Sequence, residues 1–149
     1  MLHIQQHDGG RAEAGYKGST GDCVTRAISI ASGKPYQTVY DELAILSKAY
    51  MEKKRKRRRG VSSPRLGVHK EVYHAYLLSQ GFKWHPVMGI GTGCSMTLSG
   101  WIVNAYFKKG SYILSLSKHL TAIVDGIVLD NHDPSREGTR CIYGYYSKD

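Results

Sequence analysis

A cysteine and a histidine in this chain occupy positions that favour nucleophilic chemistry. Cys23 follows Asp22 at the predicted start of a helix, where unpaired N–H groups and the helix dipole stabilise a thiolate. Asp22 is expected to cap that helix with its carboxylate. His119 begins a predicted strand, and an imidazole titrates near neutral pH and is able to take a thiol proton. Taken singly, each residue also fits a structural role, as a buried cysteine in a packed helix or as a core or surface histidine.

The hairpin around Asp125-Gly126 provides a third partner. A two-residue turn at these positions pairs Thr121 with Asp130, and further along it pairs His119 with His132. Side chains alternate between faces with a period of two, so Asp130 lies on the same face as His119 and is its diagonal neighbour. A carboxylate there would orient the imidazole, as the third member of a catalytic triad does.

Two sequence motifs carry a family resemblance. The first is Gly21-Asp22-Cys23-Val24, which opens a helix, and the second runs from Ser117-Lys118-His119-Leu120-Thr121-Ala122 through the hairpin to Asp130-Asn131-His132-Asp133. They resemble the papain-like cysteine peptidase superfamily. The likeness is greatest to small bacterial and phage-encoded members with a DC-x-x-R-A helix start and an H-x-x-A-x-x-D-G-x-x-x-D hairpin. Bacteriocin leader peptidases and papain-type cell-wall amidopeptidases are similar at a greater distance.

The resemblance extends from about Gly18 to Tyr146 and implies a role for each motif residue. Cys23 matches the nucleophile, His119 the base and Asp130 the orienting residue. The implied activity is that of a cysteine hydrolase, a thiol protease or amidase, acting on a peptide, isopeptide or thioester bond of a peptide or protein substrate. No cofactor and no metal ion is expected.

One departure from the papain-like pattern concerns the oxyanion hole. These enzymes usually carry a glutamine a few residues before the nucleophile, whereas the stretch 16–20 contains none. The backbone N–H of Cys23 and a nearby hydroxyl are available substitutes, and an incomplete hole would leave the domain catalytically weak. The candidate oxyanion or auxiliary residues are Ser19, Thr20, Asn131 and Asp133.

The positive charge is concentrated in one segment. The chain carries 21 Lys and Arg against 12 Asp and Glu, a net charge of +9. Seven consecutive basic residues account for most of it: Lys53, Lys54, Arg55, Lys56, Arg57, Arg58 and Arg59. The run predicts a basic insert around 52–66 with no aromatic side chain for base stacking. The alternative function is therefore a non-catalytic papain-like scaffold that binds nucleic acid or an acidic protein through this run.

The order of the predicted elements indicates an α+β fold, with N-terminal helices packed on a C-terminal antiparallel sheet. The length of 149 residues predicts a single domain over 1–149, and residues 1–21 are expected to be an irregular lead-in. Residues 101–107 fit either a helix or a strand. The predicted helices begin near 22, 35 and 70, and the predicted strands cover 82–87, 111–117, 119–124, 127–130 and 141–146.

Composition limits the cellular setting. No apolar run approaches ~18 residues, and no signal-peptide pattern opens the chain, so we expect a cytoplasmic protein without a membrane span. The three cysteines cannot all pair and form no CxxC motif, which makes a disulfide scaffold improbable. A zinc site built from Cys23, Cys94, Cys141 and a histidine is a weaker alternative, because paired ligand spacing is missing.

Overall fold

The computed structural model describes residues 2–17, 21–53, 62–64, 67–88, 91 and 93–148. Within these ranges the chain is α+β, with four helices and a six-stranded mixed sheet. In chain order the elements are β1 (His3–Gln6), α1 (Cys23–Ser32), α2 (Tyr36–Lys53), α3 (Lys70–Ser79), β2 (Lys83–Pro86), α4 (Gly100–Tyr106), β3 (Ser111–Leu116), β4 (His119–Val124), β5 (Ile127–Asp130) and β6 (Gly144–Ser147).

Helix α1 forms because its apolar residues recur at helical spacing. The spacing of Val24, Ala27, Ile28 and Ala31 predicts one buried face, and all four residues are buried. Gly33 ends the helix in the left-handed conformation, with φ of 77°, and its N–H donates to the carbonyl of Ser29. The helix packs against β4 and thereby carries its N-terminus towards the β3–β4 turn.

The second half of helix α2 departs from its predicted apolar stripe, which the sequence places at Tyr36, Val39, Tyr40, Leu43, Leu46 and Tyr50. Tyr36, Val39 and Leu43 are buried as predicted, but Leu46 is exposed. Ser47 is buried in its place, and its hydroxyl hydrogen-bonds to that of Ser62. The stripe continues four residues after Leu43, so Leu46 lies on the solvent side.

The sheet separates two apolar cores. Helices α1, α2 and α3 pack on one face, where Val24, Val39 and Val72 join a cluster with β3 and β4. Helix α4 packs on the other face through Val103, in a second cluster that includes Val128 of β5. Residues 101–107, for which the sequence left helix and strand open, therefore belong mainly to a helix.

The strand order is β1-β5-β4-β3-β6-β2, and β1 runs parallel to β5 while the other pairs are antiparallel. Two expectations were wrong here: residues 1–21 are not entirely irregular, and the sheet is not wholly antiparallel. All four residues of β1 are exposed, so the strand has no alternating apolar pattern by which the sequence could reveal it. Its pairing with the β5 backbone holds it in place.

Two tight turns fix the register of the central strands. Asp125 and Gly126 have φ of 49° and 82°, as a type I′ turn requires, and Ile123 pairs with Val128 as predicted. The preceding turn contains Lys118 at φ of 54° and pairs Leu116 with His119. His119 is therefore the first residue of β4, directly after a two-residue turn.

A disulfide joins Cys94 to Cys141, with the two Cα atoms 5.7 Å apart. The sequence made a disulfide scaffold improbable and did not predict this single bond, and a zinc site from all three cysteines is excluded because two sulfurs are bonded to each other. The pair is 47 positions apart and meets because Thr97 and Cys141 form a β-bridge, a long-range contact that cysteine spacing does not reveal. Cys23 is left as the free thiol.

None of the described helices combines the length and apolar character needed to cross a membrane.

Candidate active site

Cys23 is the first residue of α1, as the sequence predicts. The expected cap is absent, because the side chain of Asp22 accepts no hydrogen bond from the first turn. Its carboxylate instead accepts a bond from Arg26 Nη1 at 2.5 Å and one from the Tyr36 hydroxyl at 2.7 Å. Arg26 thus balances the negative charge beside the thiol, and the Asp22 carboxylate leaves the N–H groups at the start of α1 uncapped.

His119 contacts both other members of the predicted triad. Its Nε2 lies 2.7 Å from Asp130 Oδ2. The ring lines the same cleft as the Cys23 thiol and is close enough for each group to shift the pKa of the other. The structure therefore brings Cys23, His119 and Asp130 together in that order.

The ionisation of the thiol and the imidazole is coupled. Burial by itself raises the pKa of Cys23, but the hydrogen bond from His119, a backbone hydrogen bond at Leu120 and the positive charges of His119 and Arg26 bring it below the ordinary value of 9.0. Burial lowers the pKa of His119, yet its bonds to Asp130 and Cys23 outweigh that effect and raise the pKa to about 9. Both directions favour a thiolate–imidazolium pair near neutral pH.

Asp130 is 1% exposed and is held ionised by its partners. Besides His119, its carboxylate accepts hydrogen bonds from Thr121 Oγ1 at 2.7 Å, from Arg26 Nη2 at 3.0 Å and from the Asn131 backbone N–H at 2.7 Å. Burial raises the pKa of Asp130, but His119, Thr121 and Arg26 together lower it to about 2. The negative charge that orients His119 therefore persists at every pH at which the thiol reacts.

Arg26 is a site residue to which the sequence assigned no role. It is 4% exposed and connects Asp22 to Asp130, so one guanidinium bridges the helix that carries the nucleophile and the strand that carries the triad carboxylate. Its position four residues after Asp22, within an otherwise apolar helical stripe, is the signal that could have identified it. Tyr36 extends the network to Arg11, whose Nη1 lies 3.4 Å from the phenol oxygen.

The auxiliary candidates Asn131 and Asp133 differ in their position relative to the cleft. Asn131 follows the last residue of β5, Asp130, and lines the cleft with Cys23. Its Oδ1 lies 2.6 Å from Nδ1 of His132. Asp133 is not among the described residues that line this cleft, and its Oδ1 accepts bonds from the N–H and the hydroxyl of Ser135.

Several predicted residues lie outside the part of the chain that the structure describes. Ser19 and Thr20, the proposed oxyanion donors, are among them. Of the basic run, Lys53 is the last residue of α2. The others fall outside the described ranges: Lys54, Arg55, Lys56, Arg57, Arg58 and Arg59.

The thiol and the imidazole open onto one cleft of about 510 Å³. Val24, Val68 and Leu116 supply apolar surface to its wall. Lys70 and Lys118 add exposed ammonium groups. This volume lies within the range of about 300–1,000 Å³ that is typical of ligand-binding clefts.

One cluster has the residue types of a metal site. Ligand atoms of His119, Asp130 and His132 lie within 4.8 Å of one another. However, the Arg26 guanidinium lies 3.0 Å from Asp130 Oδ1 and would repel a cation bound there. The arrangement is better suited to holding a proton on His119 than to holding a metal ion.

No family model matches the chain, and neither a curated protein nor a solved structure matches it.

Proposed function

We propose that the protein is a papain-like cysteine hydrolase that transfers an acyl group from a peptide, isopeptide or thioester bond to water. The observation that carries the proposal is the arrangement Cys23–His119–Asp130, in which the thiol and the imidazole share one cleft and shift each other's pKa, and the carboxylate holds Nε2 at 2.7 Å. A nucleophile activated by a base that is itself oriented by a third group is the general arrangement for covalent acyl transfer.

Catalysis would begin from the thiolate–imidazolium pair. The Cys23 sulfur attacks the carbonyl carbon, and the carbonyl π electrons move to the oxygen. The oxyanion collapses, the bond to the leaving group breaks, and His119 donates its proton to that group. Water then attacks the acyl-enzyme while His119 takes a proton from it, which releases the acid and restores Cys23. General acid–base catalysis of this kind contributes about 10²–10⁴-fold.

The start of α1 supports the developing oxyanion. The backbone N–H of Cys23 belongs to the first helical turn, whose N–H groups have no partner within the helix. This N–H and the positive end of the helix dipole would stabilise negative charge on the carbonyl oxygen. One such donor is worth about 10²–10³-fold in rate.

The papain-like fold is part of the same proposal. A helix that begins at the nucleophile, followed much later by a hairpin that carries the base and its carboxylate, is the arrangement on which the resemblance rests. Cytoplasmic location is likewise a prediction. The Cys94–Cys141 disulfide argues against a cytoplasmic location, since such bonds persist mainly in oxidising compartments.

The test is hydrolysis by matched variants. The purified protein is incubated with a peptide library at pH 7, and new termini are identified by mass spectrometry. We expect cleavage that is lost in Cys23→Ala and retained in a Cys94→Ala/Cys141→Ala double variant, which removes the other two cysteines. Cleavage that survives Cys23→Ala refutes the nucleophile. If the Cys23 thiol is not activated and no library peptide is cleaved, but the protein binds nucleic acid or an acidic protein, the non-catalytic scaffold is favoured.

A further inference from the structure

We infer that the cleft selects acidic segments, binding a substrate whose carboxylate side chains flank the scissile bond. The inference rests on the proposed function and names the substrate class of the same site. Its basis is the sign of the charges that surround the thiol.

Two lysines flank the nucleophile from different elements. Lys70 is the first residue of α3, and Lys118 lies in the turn immediately before His119. Both are exposed and line the cleft that contains Cys23. Within the described residues neither lysine forms a salt bridge, so both ammonium groups are available to a ligand.

Carboxylates are missing from the described lining of this cleft. Asp130, the nearest acid, is buried and already contacts Arg26 and His119. Glu71 follows Lys70 in sequence, but its Oε2 accepts a hydrogen bond of 2.8 Å from the Tyr50 hydroxyl of α2. The positive charges around the thiol are therefore not cancelled from within the cleft.

The position of these charges favours a peptide over a nucleic acid. Both lysines and the exposed His132 border the cleft in which the thiol meets its base, so the recognised group and the reacting carbonyl belong to one ligand. A carboxylate bound by Lys118 would lie beside the bond that Cys23 attacks. Electrostatic complementarity of this kind mainly sets specificity and the rate of encounter.

The first experiment uses two small alkylating agents that differ chiefly in charge. Iodoacetate and iodoacetamide are reacted with the single free thiol, and the ratio of their rate constants at Cys23 is measured by intact mass. Lys70→Glu and Lys118→Glu are each expected to lower this ratio about three- to tenfold, since an exposed charge pair is worth up to about fivefold and the reversal adds repulsion. Raising the salt concentration should lower the wild-type ratio as well.

Lys109→Glu is the matched control. Lys109 is exposed and lies just before β3, at the far end of the β3–β4 hairpin from Lys118. Six-residue strands rise about 3.3 Å per residue, which separates the two lysines by about 20 Å. The control should leave the ratio unchanged, and the iodoacetamide rate corrects for any general change in thiol reactivity.

The outcomes separate this inference from the proposed function. Alkylation needs no turnover, so a ratio that is insensitive to Lys70→Glu and Lys118→Glu overturns the charge selectivity even if the protein hydrolyses peptides. A Glu-rich decapeptide should protect Cys23 from iodoacetate better than a ten-residue oligodeoxynucleotide. Better protection by the oligonucleotide overturns the assignment to peptides, as does cleavage of library peptides mainly beside Lys or Arg.

Discussion

Replacing Asp130 by asparagine tests how the site activates its thiol. The substitution keeps the shape of the side chain and removes the charge that faces His119 Nε2 at 2.7 Å. Without that charge the pKa of His119 falls, and a less stable imidazolium stabilises the Cys23 thiolate less. The pKa of Cys23 is therefore expected to rise towards its ordinary value of 9.0.

The size of the effect follows from His119. Its pKa lies at about 9 instead of 6.5, although burial acts in the opposite direction. At about 1.4 kcal/mol per tenfold change in an ionisation constant, this corresponds to about 3 kcal/mol in favour of imidazolium. Asp130 makes the largest favourable contribution and Cys23 supplies much of the rest. Losing about half of the total would reduce the thiolate population at pH 6 by about tenfold.

The assay is the second-order rate constant of Cys23 with iodoacetamide between pH 4 and pH 10. We expect the wild-type rate to stay high well below pH 9, and Asp130→Asn to react about tenfold more slowly at pH 6 while the two converge above pH 9. Asp125→Asn is the control, because it makes the same change in the β4–β5 turn, at the other end of β5. Profiles of wild type and Asp130→Asn that agree within twofold would refute the activation by Asp130.

Three further predictions concern stability. Arg26→Met leaves the buried carboxylates of Asp22 and Asp130 without their shared cation. It should lower the free energy of unfolding by about 3–5 kcal/mol in urea titrations, and Asp22→Asn should restore part of that loss. A loss below about 1 kcal/mol would contradict the bridge. Because the pKa of Asp130 is lowered to about 2, its stabilising contribution is complete above pH 4 and is lost as the pH falls towards 2. Over that interval the free energy of unfolding should fall by about 2 kcal/mol more in the wild type than in Asp130→Asn. Equal losses in the two proteins would rule this out. Replacing Cys94 and Cys141 by serine opens a link across 47 positions and should cost up to about 4 kcal/mol while leaving the alkylation rate of Cys23 unchanged; a slower thiol would show that the disulfide supports the site.

The contact between His119 and Asp130 was predictable because it depends on one turn. Asp125-Gly126 favours a type I′ turn, the turn fixes the register, and the register makes the two side chains diagonal neighbours. The start of α1 at Cys23 followed from local signals in the same way. Neither the turn nor the start of α1 predicts that α1 packs on β4, which is the long-range contact that brings the thiol to the imidazole.

The sequence analysis did not anticipate strand β1 or the role of Arg26, because apolar periodicity indicates neither. Strand β1 is exposed along its whole length and is defined only by its partner β5. Arg26 occupies a buried position in an apolar stripe, where periodicity does not anticipate a charged side chain. Its presence depends on Asp22 and Asp130, two carboxylates that are distant in sequence and close in the fold.

The ionisation of Cys23 is the most direct test of the proposed site. Because Cys23 is the free thiol, the difference in 240-nm absorbance between the wild type and Cys23→Ser follows its thiolate alone during a pH titration. A thiolate already present at pH 7 is the expected result, since His119 and the start of α1 stabilise it. An absorbance difference that develops only near pH 9, as for an ordinary cysteine, would contradict the thiolate–imidazolium pair.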